Sequence, residues 1–507
     1  MAELFPNLAL GFSVALTLQN LMYCFIGVFL GTLIGVLPGI GPLATMSMLL
    51  PLTFVLPPVA ALIMLAGIYY GSDYGGSTTA ILINLPGEGS SVVTLLEGHP
   101  MAQQGRAGPA LAIAAIGSFF AGCVGTLLIA VVGPPLANIA LNFNSPEYFA
   151  LMLMALVCAS VVGSGSLLKS LGMVVVGLLI GIVGTDLSSG KLRFTFGVPE
   201  LSDGIGIAVV AMGVFGLSEI VRNLAGPELT HTILKGRITG LMPRWDDLKV
   251  SFMPMVRGST IGALFGPLPG LGGTMSSFTS YMIEKKLAKD PSRFGKGAIE
   301  GIAGPESANN ACAQTTFVPM LTLGIPPSAS MAIMLGAMMM QGITPGPQVM
   351  TGRPELFWGL IASMWIGNLM LVLLNLPLIG IWVKLLQVPY RLLFPIIMTF
   401  MAIGVYSLSS TGIDVLLMAF FGFMGYALGK LGCSFPQVIL AMVLGPAMEE
   451  NFRRSMELSS GDASVFFTRP ISGGFMIATV ALLLVFIVPA VRRRQRKSGL
   501  LGDEARA

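Results

Sequence analysis

The sequence predicts an all-α polytopic membrane protein of two homologous repeats, in inverted topology, with re-entrant or broken helices. Three observations predict it. Of 507 residues, 54% are hydrophobic and 10% charged, with a mean hydropathy of +0.83 that a water-soluble globular chain does not show. The stretch GTLIGVLPGIG, residues 31–41, returns as GALFGPLPGLG, residues 262–272, identical at seven of eleven positions. Each copy also interrupts an apolar run with Pro-Gly-x-Gly: Pro38, Gly39 and Gly41 in the first, Pro269, Gly270 and Gly272 in the second.

Glycine at every fourth position lets membrane helices approach closely, which accounts for Gly31 with Gly35 and Gly262 with Gly266. It does not account for Pro-Gly-x-Gly, which removes an amide donor and adds flexible residues. Hydrocarbon tolerates such a break only where the freed backbone groups meet protein, water or an ion. Paired interruptions in two halves of a chain point to a binding site.

Taken in order, an amphipathic segment over residues 2–20 leads into an apolar run, 21–38, which resumes over 42–54. Residues 60–70 are apolar, and residues 71–91, GSDYGGSTTAILINLPGEGSS, are too rich in Gly, Ser and Thr for an ordinary spanning helix. A polar connection with Glu97, His99 and Arg106 comes next. Helices are expected at about 108–140, 146–162, 167–185 and 205–221. The connection after them carries Arg222, Lys235, Arg237, Arg244, Lys249 and Arg257, a cytoplasmic mark by the positive-inside rule.

The second half repeats the plan. Its broken run, 258–283, precedes a loop with Lys285, Lys286, Lys289, Arg293 and Lys296. That run is too short for two crossings of about 20 residues each, so it reads as a re-entrant hairpin. The rival, one kinked crossing, would put a strongly basic loop outside. A polar stretch recurs over 301–330. Helices are expected at 356–386, 392–408 and 415–428, then a shorter apolar piece at 437–447. A mixed-charge loop through Glu449, Glu450, Arg453, Arg454 and Arg469 precedes a last span at 473–491. Arg492, Arg493, Arg494, Arg496 and Lys497 then assign the C-terminus to the cytoplasm.

The chain therefore divides into a first membrane repeat, 1–225, a central cytoplasmic connection, 226–255, a second repeat, 256–470, and a C-terminal helix with a basic tail, 471–507. The loops flanking the second hairpin are basic, whereas their counterparts near 10–20 and 55–59 carry no charge. Opposite bias at equivalent places is what inverted repeats produce.

Few groups inside the membrane can do chemistry. Gly75, Gly76, Ser77, Thr78, Asn84, Pro86, Gly87 and Ser90 from the first half, with Asn309, Asn310, Gly324, Pro326 and Ser328 from the second, are candidate ligands of a substrate carboxylate. Hydroxyls, amides and helix-terminal N–H groups are what holds one. Backbone oxygens at Pro38, Gly39, Gly41, Pro269, Gly270 and Gly272, with Glu306, are candidates for coupling Na⁺ or H⁺. A buried carboxylate in the bilayer is costly unless paired. Asp73 and Glu306 could instead sit at watery hairpin mouths, and an isolated Ser or Thr more often makes an interhelical hydrogen bond worth about 0.6 kcal/mol.

Cys24, Cys123, Cys158, Cys312 and Cys433 show no metal spacing, and His99 and His231 are the only histidines. No metal centre is expected beyond Na⁺ at the broken helices. With no P-loop and no HExxH motif, an enzyme is not expected, and any driving force must come from an ion gradient or another subunit. An intramembrane enzyme acting on a lipid-linked substrate is the main rival, and a channel or scaffold subunit the third reading.

The segments GVLPGIGPLATMSMLLPLTF, AGIYYGSDYGGSTTAILINLPGEGSSVVTLLEGHPMAQQGRAGPAL and GPESANNACAQTTFVPMLTLGIP followed by PGPQVM resemble the large membrane subunit of the bacterial tripartite tricarboxylate transporters, over nearly the whole chain. The resemblance implies a secondary transporter of the inner membrane, without an organic cofactor. Its implied partners are a small membrane subunit, a periplasmic solute-binding protein and the surrounding lipid, with association of several copies left open. Its implied activity is cation-coupled symport of citrate-like tricarboxylates or other small carboxylates. The doubled Pro-Gly-x-Gly is the family's hallmark; Asp73 is not part of its pattern.

Overall fold

The structure, a computed structural model, describes residues 3–37, 40–162, 166–186, 188–225, 240–386 and 390–485. Pro38 and Gly39, residues 226–239 of the central connection and the basic tail lie outside them. The chain is nearly all helix; among the described residues the only strands are β1 (Gly184–Thr185) and β2 (Leu192–Arg193), an antiparallel pair. Among the described residues, five stretches are long and apolar enough to cross a membrane: Leu18–Gly35, Ser91–Ala140, Ile207–Ala225, Pro354–Asn375 and Gly412–Lys430.

The first half opens with α1 (Leu4–Ala15), α2 (Leu18–Gly35), α3 (Pro42–Phe54) and α4 (Pro58–Ile83). Thr17 caps α2, its side chain accepting from Asn20 N–H, and Gly41 stands before Pro42 at the start of α3. Residues 60–83 form one continuous buried helix, not an apolar helix followed by an unwound polar stretch as the composition suggested. Its glycines cost helix propensity, but they let α2 press against it. A methyl group on Gly27, Gly31 or Gly35 would overlap the backbone of Met64, Ile68 or Ser72 in turn. Each step of one turn along α2 is matched by a step of one turn along α4, so the two helices run parallel.

The second half places its hairpin the same way. The helices α10 (Trp245–Phe265) and α11 (Gly272–Leu287) form the arms, and α12 (Glu300–Thr315) follows. Methyl groups on Gly258, Gly262 and Gly266 would overlap Gly304, Ala308 and Cys312, again one turn against one turn. Helix α10 begins well before the apolar run, because the Asp247 carboxylate accepts from Arg244 N–H at its start. The last part of the presumed central connection is therefore helical.

Between these halves lie α5 (Ser91–Met101), α6 (Ala107–Ala140), α7 (Ser145–Val162), α8 (Leu167–Gly181) and α9 (Ile207–Ala225). After α12 the chain continues through α13 (Phe317–Leu323), α14 (Ala329–Met340) and α15 (Pro354–Asn375). It ends in α16 (Tyr390–Ser409), α17 (Gly412–Lys430), α18 (Pro436–Leu458) and α19 (Pro470–Val485). Two expectations need correction. The helix expected over 356–386 ends at Asn375, a further short helix, Ile379–Leu385, following it. Glu449, Glu450, Arg453 and Arg454 are not in a loop but on α18, where Arg453 pairs with Glu449 one turn away.

Candidate functional site

Helix α4 and helix α13, which follows α12, each end in a left-handed residue, Asn84 (φ 60°) and Gly324 (φ 70°); at the second end the N–H groups of Gly324 and Ile325 donate back to Met320 O and Pro319 O, the usual way to stop a helix. After Asn84 the chain doubles back. Gly87 lies so close to Gly76 that a methyl group on Gly87 would overlap the Gly76 backbone. Helix α5 then restarts beside α4 in the same direction, with Thr94 level with Ser77 and Gly98 against Ile81. The break is thus one loop, residues 84–90, rather than the whole polar stretch.

Both hairpin tips meet these break loops. Gly41 faces Glu88 and Gly87; Gly89 faces the exposed Thr274 at the start of α11; Gly273 faces Asn309. The Gly270 N–H, at φ 84°, donates to Pro327 O at 3.1 Å, joining the second tip to the second break loop. Cys158 on α7 donates to Pro269 O at 3.0 Å. Ser328 caps α14, accepting from Met331 N–H at 3.3 Å.

Glu306 is the buried centre, 3% exposed. Ser77 Oγ of α4 sits 2.8 and 2.9 Å from its two oxygens, Ser118 Oγ of α6 donates at 3.3 Å, and Thr94 of α5 donates as well. Four helices converge on one carboxyl, which is how a buried charge is made tolerable without a cationic partner. Asn310 donates to Ser118 Oγ at 2.7 Å and so holds one of these donors in place. Asn309 donates to Glu88 at 3.2 Å, and Ser90 donates to Glu88 too. Asp73 lies next to Glu88 and within Coulombic reach of Glu306. Three carboxyls therefore gather where no Lys, Arg or His is a hydrogen-bond partner among the described residues.

The candidate residues thus separate by position. Ser77, Ser90, Asn309 and Asn310 are gathered around Glu306 and Glu88. Gly87, Gly41, Gly270 and Pro269 lie at the loop and tip contacts, with Pro86, Pro326, Gly272 and Ser328 beside them in the same segments. Gly75 and Gly76 have other work: Gly75 packs against Gly35 and Val36 of α2, and Gly76 makes room for Gly87. Thr78 hydroxyl turns back to Tyr74 O, and Asn84 is exposed. Pro38 and Gly39 lie outside the described residues.

Sequence reasoning missed Glu88, Thr94 and Ser118. Glu88 carried a signal, as the one charge inside NLPGEGSS. A lone serine in the apolar α6 carried none. No group of His, Cys, Asp or Glu suited to a metal ion occurs among the described residues.

Long apolar helices packed around a buried carboxyl define a multi-pass membrane protein. Residues 21–440 match the family described as "Tripartite tricarboxylate transporter TctA family", and the chain belongs to that family, a family of transporters. It is 54% identical over 497 residues, 98% of this chain and 99% of the other, to an Agrobacterium vitis protein described as "Uncharacterized 52.8 kDa protein in TAR-I ttuC' 3'region". A second Agrobacterium vitis protein, "Uncharacterized protein in TAR-II ttuC' 3'region", is 53% identical over 234 residues, 46% of this chain and 97% of that one. No solved structure matches.

Proposed function

We propose that this chain is the transporting subunit of a binding-protein-dependent secondary carrier for citrate-like tricarboxylates or other small carboxylates, working in the inner membrane with a small membrane subunit and a periplasmic solute-binding protein. One observation carries the reading: both hairpin tips and both break loops meet, Gly41 at Glu88, Gly89 at Thr274, and Gly270 at Pro327. Interrupted helices from two halves meeting at one place are the architecture of a carrier's substrate site. The N–H groups and hydroxyls of residues 86–90 and 326–328, with Asn309, are the ligands proposed for the cargo's carboxylates.

The charge of the site bears on coupling. An anionic cargo beside Asp73, Glu88 and Glu306 is repelled unless positive charge accompanies it. Symport with Na⁺ or H⁺ supplies that charge.

Two inverted repeats in the chain are the accompanying proposal. The parallel pairs α2 with α4 and α10 with α12 support it. So do the ends of the polar helices: Gln341 donates to Thr53 and Phe54 O beside the start of α4, while Gln104 donates to Lys296 O beside the start of α12. The Arg106–Asp247 pair at 2.7 Å joins that second end to the basic connection, which the positive-inside rule assigns to the cytoplasm.

Uptake of radiolabelled carboxylates into proteoliposomes holding both membrane subunits, with the binding protein added, tests the proposal. Accumulation that follows an imposed Na⁺ or H⁺ gradient is expected. No accumulation of any small carboxylate, or accumulation indifferent to every gradient, would overturn it.

A further inference from the structure

Glu306 also borders a small cavity between α4, α6 and the end of α15, lined by Tyr74, Ser77, Ser118 and Asn375 among others. Its space for the centre of a water molecule is ≈ 20 Å³, room for about one water and far too little for a tricarboxylate. Tyr74 Oη and Asn375 Oδ1 are buried in this lining without a hydrogen-bond partner, on residues only 5% exposed. Asn310 Oδ1, on the residue that steadies Ser118, is likewise buried and unpartnered. Orphaned buried oxygens are expensive, and here two of the three can only accept. What would satisfy them is a donor or a cation.

The surroundings carry charge of one sign. Asp73 comes from α4, Glu88 from the break loop, and Glu306 itself from α12; Cys123 of α6 and Cys312 of α12 are the nearby thiols. Glu284 of α11 reaches Gly304, two residues before Glu306, but Arg257 already pairs with it. Helices α5 and α15 present Thr94 and Asn375, both uncharged. Tyr74, Ser77, Thr78 and Ser118 line the cavity with hydroxyl oxygens and Asn375 adds an amide oxygen, the donor type that hard monovalent cations take.

We infer that Glu306, with Tyr74 and Asn375, forms a site for one monovalent cation, a proton or Na⁺, separate from the place where both break loops would hold the cargo. The purpose of this site rests on the transporter reading, but its occupancy does not. A proton would bond to a Glu306 oxygen and be donated toward an orphaned acceptor. Na⁺ would sit in the cavity between the carboxylate and the same oxygens.

The test uses the purified full-length chain in detergent without partners or cargo. Binding of radioactive Na⁺ is measured alongside the infrared carboxyl C=O band as pH is varied. Either saturable Na⁺ binding or a titrating carboxyl band is expected, and Glu306→Gln should remove it. Which of the two appears identifies the cation. Tyr74→Phe and Asn375→Ala, each deleting one orphaned group, should weaken the same signal by at least threefold and serve if Glu306→Gln does not fold. Absence of both signals, or signals indifferent to these variants, overturns the inference. Failure of carboxylate uptake in proteoliposomes would instead strike the transporter reading.

Discussion

Ser77 Oγ lies 2.8 and 2.9 Å from the two carboxylate oxygens of Glu306, so one hydroxyl ties the polar helix of the first half to that of the second. A hydrogen bond to a charged group contributes about 1.5–3 kcal/mol. Ser77→Ala should lower stability by about that amount, read as the unfolding midpoint of the purified protein. An unchanged midpoint would mean that Thr94 and Ser118 hold Glu306 by themselves.

Glycine sets the spacing of the parallel helix pairs. A methyl group on Gly262 would overlap Ala308 O and come within 2.8 Å of Cys312 N, and backbone cannot turn aside as a side chain can. Gly262→Ala should cost about 1–3 kcal/mol and reduce the yield of folded protein. Gly172 on α8 meets nothing within 4 Å. Gly172→Ala should be neutral or gain up to about 1 kcal/mol through helix propensity. Equal effects in thermal unfolding would refute the packing account.

This contrast shows what could be read from the chain. Apolar runs and breaks were legible, because hydrophobic length and Pro-Gly punctuation are local properties. The helices at 145–162, 390–409 and 412–430 lie close to where the apolar runs put them. Residues 71–83 misled for the opposite reason: their glycines signal a loop locally, while the helix they form is secured by α2, far away in sequence. Within the site, Glu306 and Asn309 announced themselves as polar groups in apolar surroundings. Thr94 and Ser118 could not, since only the meeting of α5 and α6 with α12 gives them a role.

Glu97 is fully buried and accepts from Tyr281 Oη at 2.8 Å, from the N–H groups of Gly297 and Ala298 at 2.8 Å each, and from that of Gly295. One carboxylate thus gathers the loop before α12. Glu97→Ala strands these donors, an expense of about 1–3 kcal/mol per buried group left unsatisfied. Hydrogen exchange at residues 295–298 should accelerate at least tenfold, about 1.4 kcal/mol of local stability, with α17 unaffected. Unchanged exchange in the loop would show that its turns hold without the carboxylate.

Asp186 fixes the turn between β1 and β2. Hydrogen bonds from Ser189 and from the Ser188 N–H, with the Arg193 guanidinium, hold its carboxyl well below the usual carboxylate range. A depressed folded-state value gives stability that is present above the ordinary value, 3.8, and lost as pH falls through the lower one. A spin label on Lys191→Cys should therefore show constant mobility from about pH 5 to 8, loosening only in stronger acid. Asp186→Asn should be mobile throughout. Loosening of the parent protein near neutral pH would contradict the assignment.

Contact between the first break loop and the second hairpin tip can be locked covalently. A Cβ at Gly89 would lie 3.7 Å from Thr274 Cβ, inside the range of about 3.5–4.5 Å that a disulfide spans. Gly89→Cys with Thr274→Cys should oxidise readily, and peptide mapping can tell this bond apart because Cys24, Cys123, Cys158, Cys312 and Cys433 are all free. If cargo enters and leaves by parting these two elements, the oxidised pair stops carboxylate uptake and dithiothreitol restores it, while either single variant keeps its response to reductant flat. Full uptake with the bond demonstrably formed would mean that loop and tip travel together as one body, and that access to the cargo site opens somewhere else.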